Sequence, residues 1–244
     1  MIRSLVVAVA AACLPVSVLA ASSTCGADAL GTSRTLVLKR EGAAYGTEQH
    51  GPLPLKPGEV VLTFDDGPRA ESTPPVLTAL ADQCVKATFF MVGENMVKNP
   101  DLARRIVAEG HSTAMHSLNH RNMSQLSESE QRADLKANQD AYSATLGTAA
   151  PAYRFPFLAE SAPLLSELKA QGVTVMSVDL GIQDWLPDQT ADILTARLLS
   201  QLKLKGGGII LMHDGQDITA ASLPQMLKAL KDNGYRVVHV EWEK

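Results

Sequence analysis

Cysteine, aromatic side chains and positive charge are all scarce in this 244-residue chain, and each shortage closes off a class of explanation. The three cysteines, Cys13, Cys25 and Cys84, fall in no pattern that would bind a metal. Acidic residues outnumber basic ones 26 to 22, for a formal charge of −4, so there is no electrostatic case for nucleic acid. No Gly-x-Gly-x-x-Gly opens a helical pattern, which leaves a dinucleotide fold without its phosphate-binding turn. No apolar run reaches the ~20 residues of a membrane-spanning helix with a basic stop-transfer cluster after it.

What is present starts with Arg3, an apolar stretch from Leu5 to Leu19, and Val18-Leu19-Ala20 ahead of Ala21. This pattern predicts a secretory signal peptide over residues 1–20 and a secreted or periplasmic mature protein. Cys13 is a poor lipidation site, because Ala10-Ala11-Ala12 lacks the large aliphatic residue such sites carry. Processing leaves 21 basic against 26 acidic side chains, a formal charge of −5. It also leaves Cys25 and Cys84 in an oxidising compartment, where one disulfide from the N-terminal arm to the edge of the domain is expected, two buried thiols being the alternative. The arm, residues 21–58, is rich in Gly, Pro, Ser and Thr and holds one short strand candidate at Thr35–Leu38. Residues 59–244 suit a single domain, and 45% hydrophobic residues is ample for its core.

From Val60 onward the periodicity alternates. Short β-rich runs are expected at Val60–Phe64, Ala87–Val92, His111–Met115, Ala152–Phe155, Val173–Val178, Gly208–Met212 and Arg236–Val240, with helical patterns between them. Three helices carry their own boundary signals: Asn99-Pro100 to Gly110, a capping box at Ser127 and Glu130, and Ser161 to Gly172. Seven strands alternating with six helices predict an α/β fold with a parallel sheet, either open and doubly wound or closed as a barrel.

The polar residues then fall on one side. Asp65 and Asp66, His116 and His120, Arg154, Asp184 and Trp185, and His213 each fall at a strand's C-terminal end, where the loops of such folds converge on one mouth. Taken alone, Asp65-Asp66-Gly67-Pro68 reads equally well as a surface turn, and His116-x-x-x-His120 is a weak pattern. Together, Asp66 and the two histidines make a two-His, one-carboxylate set suited to zinc or a similar divalent ion. Asp65 beside it is a ready base, which favours hydrolysis over oxygen activation. His111 is expected in a strand as a structural residue.

In this order the residues resemble the polysaccharide deacetylases of carbohydrate esterase family four. Thr63–Pro68, His116–His120, Arg154–Phe157, Asp184-Trp185 and Leu211–Asp214 match its five motifs, across about Val60 to Val240. The resemblance implies a distorted (β/α) barrel of about seven parallel strands and removal of N-acetyl groups from an amino-sugar polysaccharide or oligosaccharide. It implies Asp65 as general base and His213 as general acid. Asp66, His116 and His120 would hold one divalent ion, zinc first, with cobalt, nickel or manganese possible. Arg154 would pair with Asp65 and keep it ionised, and Asp184 would favour protonated His213. Phe157 would mark a backbone oxyanion donor, and Trp185 and Leu211 would wall the acetyl groove. Three positions depart from the family pattern: Arg121 stands for proline, Leu158 for glycine and Gly181 for aspartate. O-acetyl ester cleavage or a silent sugar-binding barrel are the other readings of the same scaffold. With only 5% aromatic residues there is no obvious row of stacking platforms for a long sugar chain, which leaves a short oligomer open as substrate beside a polysaccharide. A monomer is expected.

Overall fold

The apolar run that ends in two aspartates becomes the innermost strand of the protein, with all seven residues of Glu59–Asp65 buried. The computed structural model describes residues 25, 26 and 28–243. The predicted signal peptide, Cys13 included, lies outside them. In chain order the elements are β1 (Thr32–Leu38), β2 (Ala44–Tyr45), β3 (Glu59–Asp65), α1 (Thr73–Asp82), β4 (Thr88–Met91), α2 (Gly93–Lys98) and α3 (Pro100–Ala108). There follow β5 (Ser112–Met115), α4 (Glu128–Leu146), β6 (Ala152–Tyr153), α5 (Ala162–Ala170), β7 (Thr174–Met176) and β8 (Leu180–Gly181). The last are α6 (Ala191–Lys205), β9 (Gly208–His213), α7 (Asp217–Asp232) and β10 (Arg236–Trp242). No described helix is long and apolar enough to cross a membrane.

All seven expected strands are present with shifted ends, and every strand pairing is parallel. The ladder runs β9-β3-β4-β5-β6-β7, with β8 on the free side of β9. Only Ser177, Val178 and Asp179 separate β7 from β8. One broken strand therefore pairs with β6 by its first half and with β9 by its second, which bends the sheet round into a distorted (β/α) barrel. At the break Asp179 stands in for ladder bonds, its carboxylate accepting the N–H groups of Thr47 and Ile209 at 2.7 Å each. A Cβ at Gly208 would lie 2.6 Å from that side chain, so this position takes only glycine.

Among the described residues there are ten strands rather than about seven, because β8 lies beyond the expected Val173–Val178 run and the arm supplies two more. β1 lies beside β10 and β2 beside β7. The arm is thus sewn into the sheet, and the Cys25–Cys84 disulfide, with Cα atoms 6.0 Å apart, fastens its start to the turn after α1. The predicted helix signals hold: Asn99 precedes α3, Ser127 and Glu130 form a capping box on α4, and the Ser161 hydroxyl caps α5.

Strand alternation sorts the core into two faces. Val60, Leu62 and Phe64 pack outward under the helices with Val76, Leu80 and Leu223. Val61, Phe90, Ala114, Ala152, Ile209 and Leu211 fill the barrel interior. Two residues further along the same strands, that inner face carries Asp65 after Thr63, His116 after Ala114, Arg154 after Ala152 and His213 after Leu211. The polar site is the apolar inner face continued past the strand ends.

Candidate active site

Asp65 is the last residue of β3 and is buried at 2% exposure. Its Oδ1 accepts from Arg154 Nη1 at 2.7 Å. Arg154 is completely buried and spends its other donors on Thr63 Oγ1 (2.8 Å), the Met176 carbonyl (2.9 Å) and the Ser177 carbonyl (3.2 Å), with its guanidinium 3.9 Å above the Phe90 ring. The expected pair is formed, yet burial pushes the Asp65 carboxyl above its ordinary value against the pull of Arg154 and His213. Arg154 does not hold it low, because both groups have lost their water. A carboxylate with raised proton affinity is a stronger base than one held low.

Asp66 turns the chain at φ 77°, and its carbonyl is held by Asn95 Nδ2 at 2.7 Å. Its Oδ1 lies 3.5 Å from His116 Nε2 and 3.2 Å from His120 Nε2. The Nδ1–H of His116 donates to the Arg154 carbonyl at 2.9 Å, which fixes the tautomer and leaves Nε2 with a bare lone pair. Burial drives the His116 pKa down to about 3, the Asp66 charge notwithstanding, so the ring is neutral. The His120 N–H is anchored on Ser117 Oγ at 2.8 Å.

Whether these residues fit a cation is tested by Asp66 Oδ1, which is buried without a hydrogen-bond partner. An orphaned anionic oxygen facing two imidazole nitrogens, all three atoms within 4.8 Å of one another, is costly unless a cation sits between them. The set fits a first-row divalent ion, and its N/O donors accept zinc, cobalt, nickel or manganese alike.

His213 ends β9 as the cross-strand partner of Asp65. Its Nδ1–H donates to Asp184 Oδ1 at 2.7 Å, and Asp184 Oδ2 accepts the His213 N–H at 2.8 Å and the Thr219 hydroxyl at 2.5 Å. Burial works against the imidazolium, but the hydrogen bond and charge of Asp184, with Asp65 and Asp66 behind it, outweigh burial and raise His213 to about 9.

A cavity of about 480 Å³ opens over this floor, lined by Asp65, Asp66, His116, His120 and His213 together with Phe157, Leu158, Trp185 and Leu211. Of the expected site residues only Arg154 and Asp184 do not line it; they stand behind Asp65 and His213. Phe157 and Trp185 are 65% and 49% exposed, edge-on to His120 and His213 respectively, while Leu211 is buried. The three departures are absorbed locally. Arg121 pairs with Glu130 at 3.3 Å on the surface, and Gly181 is the strand partner of Leu211. Leu158 takes φ 54°, the left-handed conformation that a glycine would adopt without strain.

Asp214 has a place in this site that the sequence reading did not give it. Its carboxylate accepts the Gly67 N–H at 3.1 Å and the Thr73 hydroxyl at 2.5 Å, and its carbonyl accepts Ser72 Oγ at 2.5 Å. Burial raises its pKa to about 7. The His-Asp pair was visible in the sequence, but the partners of Asp214 lie 141 to 147 positions away, beyond any local pattern. A Cβ at Gly67 would meet Asp214 Oδ2 at 1.9 Å. Gly67→Ala is therefore expected to cost about 1–3 kcal/mol in denaturant unfolding by overpacking and to loosen the Asp66 turn; a loss under about 0.5 kcal/mol would show that the carboxylate yields freely.

Comparison with known proteins adds relatives to this geometry. The family described as polysaccharide deacetylase matches residues 53–176, which carry Asp65, Asp66, His116, His120 and Arg154 but not His213. A peptidoglycan-N-acetylglucosamine deacetylase of Listeria monocytogenes is 34% identical over 182 residues, 75% of this chain; the match spans only 38% of the relative's length. A chitooligosaccharide deacetylase of Sinorhizobium fredii is 33% identical over 190 residues, 72% of this chain and 87% of its own. The solved structure of a peptidoglycan deacetylase from Bdellovibrio bacteriovorus superposes with a TM-score of 0.78 at 31% identity, over 86% of this chain and 59% of its own.

Proposed function

The chain belongs to the polysaccharide deacetylase family, and from that premise we propose that it is a metal-dependent hydrolase that removes N-acetyl groups from an amino-sugar polymer or oligomer and releases acetate. The observation that carries this reading is a base and an acid, Asp65 and His213, facing one cavity across a three-ligand floor. A sugar-binding barrel has no use for that pair.

Asp66, His116 and His120 would hold the divalent cation, which would supply an acidified water with a pKa of ~7 and polarise a carbonyl. Asp65 takes the proton as water attacks the acetamide carbon, and Arg154 orients the carboxylate from behind. A backbone N–H near Phe157 meets the developing oxyanion. His213 then gives its proton to the departing amine, a poor leaving group unless protonated. Trp185 and Leu211 wall the side of the cavity where the acetyl methyl is seated. The signal peptide expected at residues 1–20 and the Cys25–Cys84 disulfide support action outside the cytoplasm. A single chain contains the whole site, which supports a monomer.

Acetate release from chitin oligomers and peptidoglycan fragments, followed with and without chelator, tests the proposal. Release that stops on metal removal and returns with zinc, cobalt, nickel or manganese is expected. No release under metal-replete conditions, or release indifferent to chelator, overturns it.

A further inference from the structure

We propose that Arg69 is a specificity-determining residue that recognises a carboxylate on the sugar next to the one being deacetylated, an inference that rests on the deacetylase reading and narrows its substrate to an anionic glycan. Ten arginines fall among the described residues, and nine of them spend their guanidinium on a carboxylate or a backbone carbonyl. Arg69 alone among these residues has no side-chain hydrogen bond or ion pair, and it is exposed. It also sits directly after the Gly67-Pro68 turn that positions Asp66.

Its surroundings give it something to do. A second, mainly polar cavity of about 260 Å³ is lined by Arg69, Glu94, Asn95 and Asn119, and it shares Asp66 and His120 with the active-site cavity. The two hollows meet at those ligands, so a sugar chain with its acetamide over the floor extends its next unit towards Arg69. Gly215 keeps the arginine close: a Cβ there would lie 3.3 Å from Arg69 Nε and 3.0 Å from Asp66 Cβ. The planar guanidinium offers paired N–H donors that match a carboxylate's two oxygens. Glu94, which pairs with Lys98 at 3.8 Å, shares the cavity, and Glu71 and Asp217 line the hollow on the far side of Arg69. None of these acids bonds to it, and together with Asp66 they favour a singly charged carboxylate over a doubly charged phosphate by like-charge repulsion.

The carboxylate can be an ether-linked acid on the neighbouring ring or that ring's own C6 acid, so both are presented, each beside its neutral amide. Acetate release from N-acetylglucosamine oligomers alternating with either acid is compared with release from the amide counterpart, for wild type, Arg69→Gln and Arg69→Lys. Each enzyme's rate on the neutral oligomer is its own reference, so partial misfolding cancels. The wild-type ratio of kcat/KM, acid over amide, is expected to be about five to ten for at least one acid and to fall with added salt. Arg69→Gln is expected to bring that ratio to about one, with Arg69→Lys between. A wild-type ratio near one, or a ratio unmoved by Arg69→Gln, overturns the inference and leaves the deacetylase reading intact. Absence of acetate from every oligomer overturns that reading and this inference together.

Discussion

Asp65→Asn is expected to lower acetate release by about 10²–10⁴-fold, the usual contribution of a positioned general base, while metal content stays that of the wild type. The amide oxygen of Asn is still able to accept from Arg154 Nη1, so the geometry around the 2.7 Å contact survives. What disappears is a group able to take a proton from water. The metal ligands Asp66, His116 and His120 keep their own supports, Asn95, the Arg154 carbonyl and Ser117 Oγ. Arg154 is left as a buried charge without its counter-ion, and breaking a buried pair costs about 3–5 kcal/mol; three remaining acceptors place this variant towards the low end of that range. Metal analysis, single-turnover acetate release and denaturant unfolding on one preparation separate these effects. A rate within tenfold of wild type would remove Asp65 from the role of base.

Asp184→Asn is expected to have the next largest effect, about 10²-fold or more at pH 8, by taking away the acid instead of the base. Both oxygens of Asp184 face donors: Nδ1–H of His213 on one side, and the His213 N–H and Thr219 hydroxyl on the other. Asparagine must turn an NH₂ towards one of these sides. The outcome with fewest lost bonds moves the imidazole hydrogen from Nδ1 to Nε2 and leaves a neutral ring. Without the carboxylate, burial is opposed only by the charges of Asp65 and Asp66, and the His213 pKa falls from its wild-type value. In the wild type the acid stays protonated up to about 9, or lower with a cation bound beside it, so the alkaline limb of the rate profile belongs to His213. The variant's limb is expected to move to lower pH. Stability follows the same sign. A pKa raised in the folded state contributes stability that is fully present below the unfolded value near 6.5 and is lost as pH rises through about 9. Wild type should therefore exceed the variant most at acid pH, with the gap closing between those values. An unchanged alkaline limb would show that another group donates the proton.

Much of this site was legible because period-two alternation carries information past the end of a strand. Val61, Thr63 and Asp65 share a face, as do Ile209, Leu211 and His213, so the residues that point into the mouth follow from those that fill the interior. The short strands were harder to read. β2 and β8 have two residues each, too few for any period to register, and both owe their pairing to partners far along the chain. β6 ends at Tyr153, short of the expected Phe155, because the Arg154 carbonyl is drawn off to His116. The upward shift of the Asp65 carboxyl was hidden from sequence for a related reason. Sequence shows an arginine and an aspartate, but only packing shows that both are stripped of water, which reverses the balance.

The pairing of Asp65 with His213 across β3 and β9 has a consequence for how this scaffold can change. Adjacent parallel strands are held about 4.8 Å apart by their backbone bonds, and that spacing, which no loop controls, sets the gap between proton acceptor and proton donor. Insertions and deletions around the rim can therefore remodel what enters while the two halves of the proton relay keep their separation. Reaction and selectivity are in this way free to evolve on different parts of the polypeptide.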